Sequence, residues 1–247
     1  MQLEQHLAGL RAAVDAIAES ATAAGLEAAV PTTPDWDVRR VVVHQGLIHR
    51  WARGQLLGQE VDLDAIDREG MRAPDPVGWL REGAERLEQV IGDKPEGPDA
   101  PAFVAAGPPP RRFWARRQCH ETTLHAVDAL SAVLGRYPTA ADTWIDRALA
   151  LDGIDELLSD LLPRPRSHLR SDEPLTIAVL PDDADQRWLV ALSRQRPVTA
   201  RGLGDEDADV VLRGTAVALY LTLWNRSDEV SDERLELWAE DAHVTWG

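Results

Sequence analysis

Apolar positions recur every three or four residues through most of the first 160 residues, the period of helices with one buried face. Leu3, Leu7, Leu10, Val14 and Ile17 predict a first helix ending before Gly25. Val30-Pro31-Thr32-Thr33-Pro34-Asp35-Trp36 follows, and its two prolines predict a rigid loop. Asp35 or Asp37 can cap the next helix. That helix is predicted over Val38 to Leu57, with Val41, Val42, Leu47, Ile48 and Trp51 on its apolar side. The polar stretch Gly58 to Ala73 reads as a long loop with some helical turns. Asp75-Pro76 opens a helix to Ile91. Gly92 to Pro110, rich in proline and glycine, reads as a crossover loop. Phe113 to Leu134 contains neither Pro nor Gly and stops at Gly135, predicting a long helix with a glycine stop. Thr139 is expected to cap a further helix through Leu161.

The pattern changes after Pro163-Arg164-Pro165-Arg166, the expected linker. Strands are predicted at Leu175 to Leu180, Arg187 to Leu192, Pro197 to Gly202 and Ala208 to Leu212. A helix capped by Gly214-Thr215 runs to Trp224, a last helix covers Asp232 to Glu240, and Ala242 to Trp246 could add an edge strand. The expected architecture is therefore a helical half, residues 1–162, before a small α+β half, residues 167–247.

The long helix carries the candidate chemistry. Glu121 and His125 are four apart and share one face, with Arg117 one turn earlier and Asp128 nearly one turn later. His120 and His125 are five apart and cannot share a metal as the two histidines of a His-Glu-x-x-His zinc motif do. A metal at Glu121 and His125 needs a third ligand from elsewhere. Without it, the pair reads as a solvated or hydrogen-bonded helix face.

Charge and composition narrow the partners. The net charge of -16 and a pI of about 4.8 argue against nucleic acid and against an anionic membrane surface. No apolar run approaches the roughly 20 residues that span a bilayer, and Met1 to Leu10 lacks a cationic-then-apolar signal pattern. A single cysteine, Cys119, excludes an internal disulfide and fits a reducing cytoplasm. The 26 basic residues include one lysine, Lys94, a bias that fits a GC-rich genome.

Four motifs occur in order: Pro34-Asp35-Trp36-Asp37-Val38-Arg39 leading into Val43-His44-Gln45-Gly46-Leu47; Arg116-Arg117-x-x-His120-Glu121-x-x-x-His125-x-x-Asp128; Leu151-Asp152-Gly153-Ile154-Asp155-Glu156-Leu157-Leu158; and Val211-x-Arg213-Gly214-Thr215 before Leu223-Trp224-Asn225-Arg226. Together they resemble the mycothiol-dependent maleylpyruvate isomerase family of actinobacteria. The resemblance implies a DinB-like four-helix bundle followed by a C-terminal α+β domain like that of sterol-carrier proteins. It supplies the third ligand: His44, Glu121 and His125 would hold zinc or another divalent metal, with the fourth position open. Asp128 would accept the second N–H of His125, or form a surface ion pair with an arginine. Arg226 would engage a substrate carboxylate, or neutralise a helix end. Its neighbour Asn225 departs from a common glycine, and Cys119 from a usual alanine. Arg117, with Arg112 and Arg116, could provide positive charge for an anionic substrate or thiol. His49 and His120 read as structural, and Cys119 as packing.

The activity implied is that of a zinc- and mycothiol-dependent isomerase or thiol transferase. Thiolate adds to the double bond of a small electrophilic diacid such as maleylpyruvate, the new single bond rotates, and thiolate leaves. The expected partners are a small-molecule substrate and a low-molecular-weight thiol. A binding or regulatory protein that keeps the bundle is the alternative from another class, and a hydrolase using zinc-bound water is a third.

Overall fold

The computed structural model describes residues 1–93, 109–165, 167–202, 208–232 and Trp238. The chain divides into two compact units, Met1–Tyr137 and Pro138–Gly247.

The first unit is built from α1 (Leu3–Ala24), α2 (Val38–Leu57), α3 (Leu63–Arg72), α4 (Pro76–Asp93) and α5 (Pro110–Leu134). The four long helices α1, α2, α4 and α5 each pack on the other three, which makes a four-helix bundle. The apolar stripe of α1 (Leu7, Leu10, Ala13, Val14, Ile17, Ala21) is buried as its spacing requires. Leu10, Val14 and Ile17 share one core with Val38, Val41 and Val42 of α2, Leu80 and Ala84 of α4, and Ala126 and Ala129 of α5. Asp37 caps α2 by accepting from the Arg40 N–H at 2.7 Å. Left-handed Gly58 closes α2 and left-handed Gly135 closes α5.

Two expectations on this unit are corrected. Gly58 to Ala73 is mainly a ten-residue helix, α3. Asp62 caps it through Ala65 N–H, and Asp64 adds negative charge to its first turn. α3 is short and dense in charge, with Gly70 its one fully buried residue and Ile66 half-buried against α2 and α4, so its apolar side spans too few turns to stand out. The helix predicted from Phe113 begins earlier, at Pro110, because Pro110 occupies its first turn, where a missing N–H costs nothing. Most of the expected crossover loop, residues 94–108, lies outside the described residues.

Trp79 of α4 is wedged between α2 and α3. A Cβ at Gly46 would lie 2.4 Å from its ring, and one at Gly70 would lie 2.8 Å away. The indole donates to Glu69 Oε1 at 2.8 Å, and the Arg50 guanidinium lies 3.6 Å from the ring centroid. With the ring held from several sides, Gly46→Ala is expected to destabilise the bundle by about 1–3 kcal/mol through overpacking. Urea denaturation measures it, and an unchanged midpoint would show that Trp79 can move aside.

In the second unit, α6 is Arg147–Asp155 and α7 is Ala216–Leu223. Strands β1 (Leu175–Pro181), β2 (Trp188–Leu192), β3 (Val198–Arg201) and β4 (Val210–Gly214) form one sheet in the order β3-β2-β1-β4. β1 pairs antiparallel with β2, Ile177 facing Val190, and parallel with β4, Val179 facing Leu212. A crossover is needed between parallel neighbours. As a strand with neighbours on both sides, β1 is buried from Ile177 to Pro181. All but one residue of α7 is buried, so its sequence is apolar nearly all round.

The helix expected from Thr139 to Leu161 is interrupted. Thr139 and Asp142 do form a capping box, but on a 3₁₀ turn, Ala140–Asp142. A second cap, Asp146 to Leu149 N–H, starts α6. A π-helical turn, Glu156–Leu161, follows it directly. The helical half was expected to end at residue 162, whereas the compact units divide at Tyr137/Pro138. The reason is packing: α6 contacts α7, and the π-helical turn contacts β3. The last helix falls outside the described residues apart from Asp232 and Trp238, and the edge strand falls wholly outside them. Among the described residues no helix is long and apolar enough to cross a membrane.

Candidate metal centre

Helix α2 carries His44 and α5 carries Glu121 and His125. One ligand atom from each of the three lies within 4.8 Å of the others. His125 Nε2 is 3.6 Å from Glu121 Oε1. Ligand atoms at zinc distances of about 2.0–2.1 Å in a tetrahedron stand roughly 3.3 Å apart, so a small inward movement would close the set. His44 and Glu121 are partly exposed and His125 is 7 % exposed, which leaves the centre an open side.

The electrostatics suit a cation. Burial is the largest influence on His44 and, with the nearby His125, pushes its pKa down to about 3, so its lone pair is free at neutral pH. Burial also pushes the Glu121 carboxyl upward. The Arg117 guanidinium and the His125 and His44 imidazoles outweigh it and hold the group well below the usual carboxylate range. Burial pushes His125 downward, but hydrogen bonds to Asp128 and Glu121 prevail and raise it. Two imidazoles and a carboxylate, with one ring nitrogen already turned toward a carboxylate, are a donor set that fits zinc.

The surroundings orient these groups. His125 Nδ1 is 2.9 Å from Asp128 Oδ2, and Asp128 is fully buried, so the alternative of a surface ion pair for it is excluded. Arg117 is 1 % exposed and donates Nη2–H to Glu121 Oε2 at 3.0 Å. Trp36 stacks on His125, with ring centroids 5.7 Å apart and planes 16° apart, and lies 4.8 Å from the His44 ring. The Arg40 guanidinium stands 5.6 Å from the Trp36 ring centre.

His49 and His120 lie away from this cluster. His49 is buried between Gln45 and Thr122, its Nε2 2.9 Å from Gln45 Nε2 and from Thr122 Oγ1. The Gln45 amide also donates to Thr122 Oγ1 at 2.8 Å. His120 meets His6 edge-on at 6.2 Å. Cys119 is fully buried. Sequence reasoning assigned no role to Trp36, Thr32 or the Gln45–Thr122 pair. Trp36 had a signal, an aromatic just ahead of the cap of the helix that carries His44. Thr32 and Thr122 had none, because their partners are distant in the chain.

His49 carries a pH expectation. Burial, then the charge of Arg50, pushes its pKa to about 3 from 6.5. Between those values the unfolded chain binds a proton that the folded chain refuses, so stability falls as pH drops from about 6.5 toward 3. His44 acts in the same sense. His125, raised when folded, acts oppositely: its contribution is complete below 6.5 and is lost as pH rises through its folded value. Because His125 is protonated in both states below 6.5, it does not oppose the other two there, and His49 with His44 predicts acid sensitivity of the metal-free protein, His49 contributing up to about 1.4 kcal/mol per pH unit in this window. His49→Gln should flatten the slope of unfolding free energy between pH 6 and 4; an unchanged slope refutes the assignment.

In the second unit, Arg226 follows α7. Its N–H bonds to Leu221 O at 2.8 Å and the Asn225 N–H bonds to Thr222 O at 2.9 Å, the two bonds of a Schellman motif. Asn225 sits at φ 58°, the left-handed conformation that glycine takes most easily and asparagine tolerates. The departure from glycine thus preserves the turn. Arg226 is partly buried and donates Nη1–H to Trp224 O at 3.0 Å.

Comparison with known proteins decides the family. The family described as Mycothiol maleylpyruvate isomerase N-terminal domain matches residues 7–130, and the one described as MDMPI C-terminal domain matches residues 148–244. The chain belongs to the mycothiol maleylpyruvate isomerase family. The fold agrees: a crystal structure of the mycothiol-dependent maleylpyruvate isomerase superposes with a TM-score of 0.62 at 14% identity, covering 95% of this chain and 94% of that one. A histidine-to-alanine mutant of that enzyme gives 0.63 at the same identity and coverage. Curated proteins include no match to the chain.

Proposed function

We propose that the chain is a metal- and mycothiol-dependent enzyme that isomerises, or adds thiol to, a small electrophilic diacid of the maleylpyruvate type. The observation that carries this reading is the convergence of His44, Glu121 and His125 from two helices onto one point. It is joined by the family assignment and by the name of the structurally similar enzyme.

In this reading His44, Glu121 and His125 hold zinc. When bound, zinc lowers the pKa of a coordinated thiol, making thiolate available near neutral pH. Asp128 holds the His125 ring and its Nδ1 proton. Arg117 keeps Glu121 anionic and fixed in direction, a role its burial favours over direct contact with thiol. Trp36 covers one face of the His125 ring. Arg226 is assigned to a substrate carboxylate on chemical grounds, since a guanidinium fork matches a carboxylate in two parallel hydrogen bonds. Charge that develops on the substrate beside that carboxylate would be stabilised by the same cation.

The test begins with metal analysis of purified and zinc-reconstituted protein. One zinc per chain is expected. Its absence after reconstitution removes the enzyme reading and leaves a binding or regulatory bundle. Mycothiol-dependent turnover of maleylpyruvate and of a panel of activated alkenes follows. Turnover should be lost in His44→Ala and in Arg226→Ala. Release of a stable thioether instead of a trans product would identify a transferase. Loss in His44→Ala alone would make Arg226 structural.

A further inference from the structure

Asp128 Oδ2 takes His125 Nδ1, and its other oxygen, Oδ1, accepts the hydroxyl proton of Thr32 at 2.6 Å. Thr32 is 7 % exposed and stands 96 residues away in sequence, in the loop between α1 and α2. Its Oγ1 also lies 3.1 Å from Ser131 Oγ, whose own proton goes to Asp128 O at 2.7 Å.

The loop holding Thr32 is pinned by its own backbone. Val30 N–H bonds to Trp36 O at 3.1 Å, Trp36 N–H to Thr33 O at 2.8 Å, and Val38 N–H to Ala28 O at 3.0 Å. Pro31 and Pro34 restrict the same segment. One short closed loop therefore touches the His125 ring twice: Trp36 lies on its face, and Thr32 reaches its edge through Asp128.

We infer that Thr32 is a positioning residue for the metal centre: by hydrogen-bonding Asp128 it fixes the carboxylate that holds His125 with its proton on Nδ1 and its lone pair on Nε2. The inference rests on the reading of His44, Glu121 and His125 as ligands. Its physical basis is the cost of a misdirected buried carboxylate. Loss of the hydroxyl removes one of the hydrogen bonds that hold the Asp128 carboxylate in place, which loosens the orientation it imposes on the His125 ring. Thr32 touches neither ion nor substrate in this account and acts only through Asp128.

Cobalt(II) serves as the probe, because its visible d–d absorption reports ligand geometry independently of activity. Wild-type protein should take up one cobalt with a tetrahedral-type spectrum. Thr32→Val should weaken binding about 10-fold, the lower end of the roughly 10–100-fold cost of losing outer hydrogen-bond partners, and should shift the spectrum. Thr32→Ser, which keeps the hydroxyl, should restore both. In an Asp128→Asn background, Thr32→Val should add almost nothing, since both changes break one chain of contacts. Wild-type affinity and spectrum in Thr32→Val would overturn the inference while leaving the centre intact, as would additive losses in the double variant. Failure of wild-type protein to bind cobalt or zinc would overturn the ligand reading and this inference with it. Should Thr32→Val not fold, histidine-selective ¹⁵N NMR of the zinc-loaded wild-type protein decides: a proton on His125 Nδ1 is expected, and metal on that nitrogen refutes the inference.

Discussion

His44→Ala is expected to abolish tight zinc binding. It leaves Glu121 and His125, two neighbours on one helix, and removes the ligand that crosses from α2 to α5. The loss should exceed the roughly 10–100-fold that removing an outer-sphere partner costs, because a first ligand is gone. Competition against a chromophoric chelator measures it. Folding should survive, since His44 is partly exposed and its truncation removes no residue of the apolar core. Circular dichroism and a melting curve check that point. Retention of one tightly held zinc by a folded His44→Ala protein would mean that the ion sits elsewhere.

Arg117→Met carries the largest expected loss of stability. The substitution keeps much of the volume but leaves the Glu121 carboxylate without its guanidinium. Removing one partner of a buried ion pair costs about 3–5 kcal/mol, and the lower end applies because the Glu121 side chain keeps 14% exposure. The sign with pH follows from linkage. Glu121 is held below its ordinary value of 4.5, so its contribution is present above that pH and lost as pH falls through the folded value. In Arg117→Met the folded pKa rises toward or past the ordinary value. The variant should therefore be weakest relative to wild type near pH 7, with the gap narrowing below about pH 4.5. Urea denaturation of metal-free protein at pH 7 and pH 4 tests this. A gap that does not narrow would show that Arg117 stabilises by packing, independently of the Glu121 charge.

The long helices were legible because each carried both a repeating apolar stripe and a recognisable stop. α2 begins after the Asp37 cap and ends before Gly58, as its sequence announces. α3 was missed because its apolar side covers only Ile66 and Gly70 among Asp64, Asp67, Arg68, Glu69 and Arg72, too few turns for a period to show. The break after Thr139 was missed because two capping signals, Thr139 and Asp146, lie close together, and the first closes only a single turn. At the centre, Glu121 and His125 could be paired from helical spacing alone. His44 could not, because nothing local ties residues on separate helices, and family resemblance supplied it. The same limit hid Thr32: its hydroxyl matters only where the fold brings it to Asp128. Arg117 was visible as a charge near the site, but its burial against Glu121 was not.

Trp36 lies against both His44 and His125, so the protein carries its own optical gauge of loading. This indole stacks on one of the proposed ligands, His125, and lies tilted beside a second, His44. Filling the centre changes the charge beside that ring, and a paramagnetic ion there would drain its excited state. A difference emission spectrum between wild-type protein and Trp36→Phe would isolate this fluorophore and let occupancy be followed in real time without any added dye.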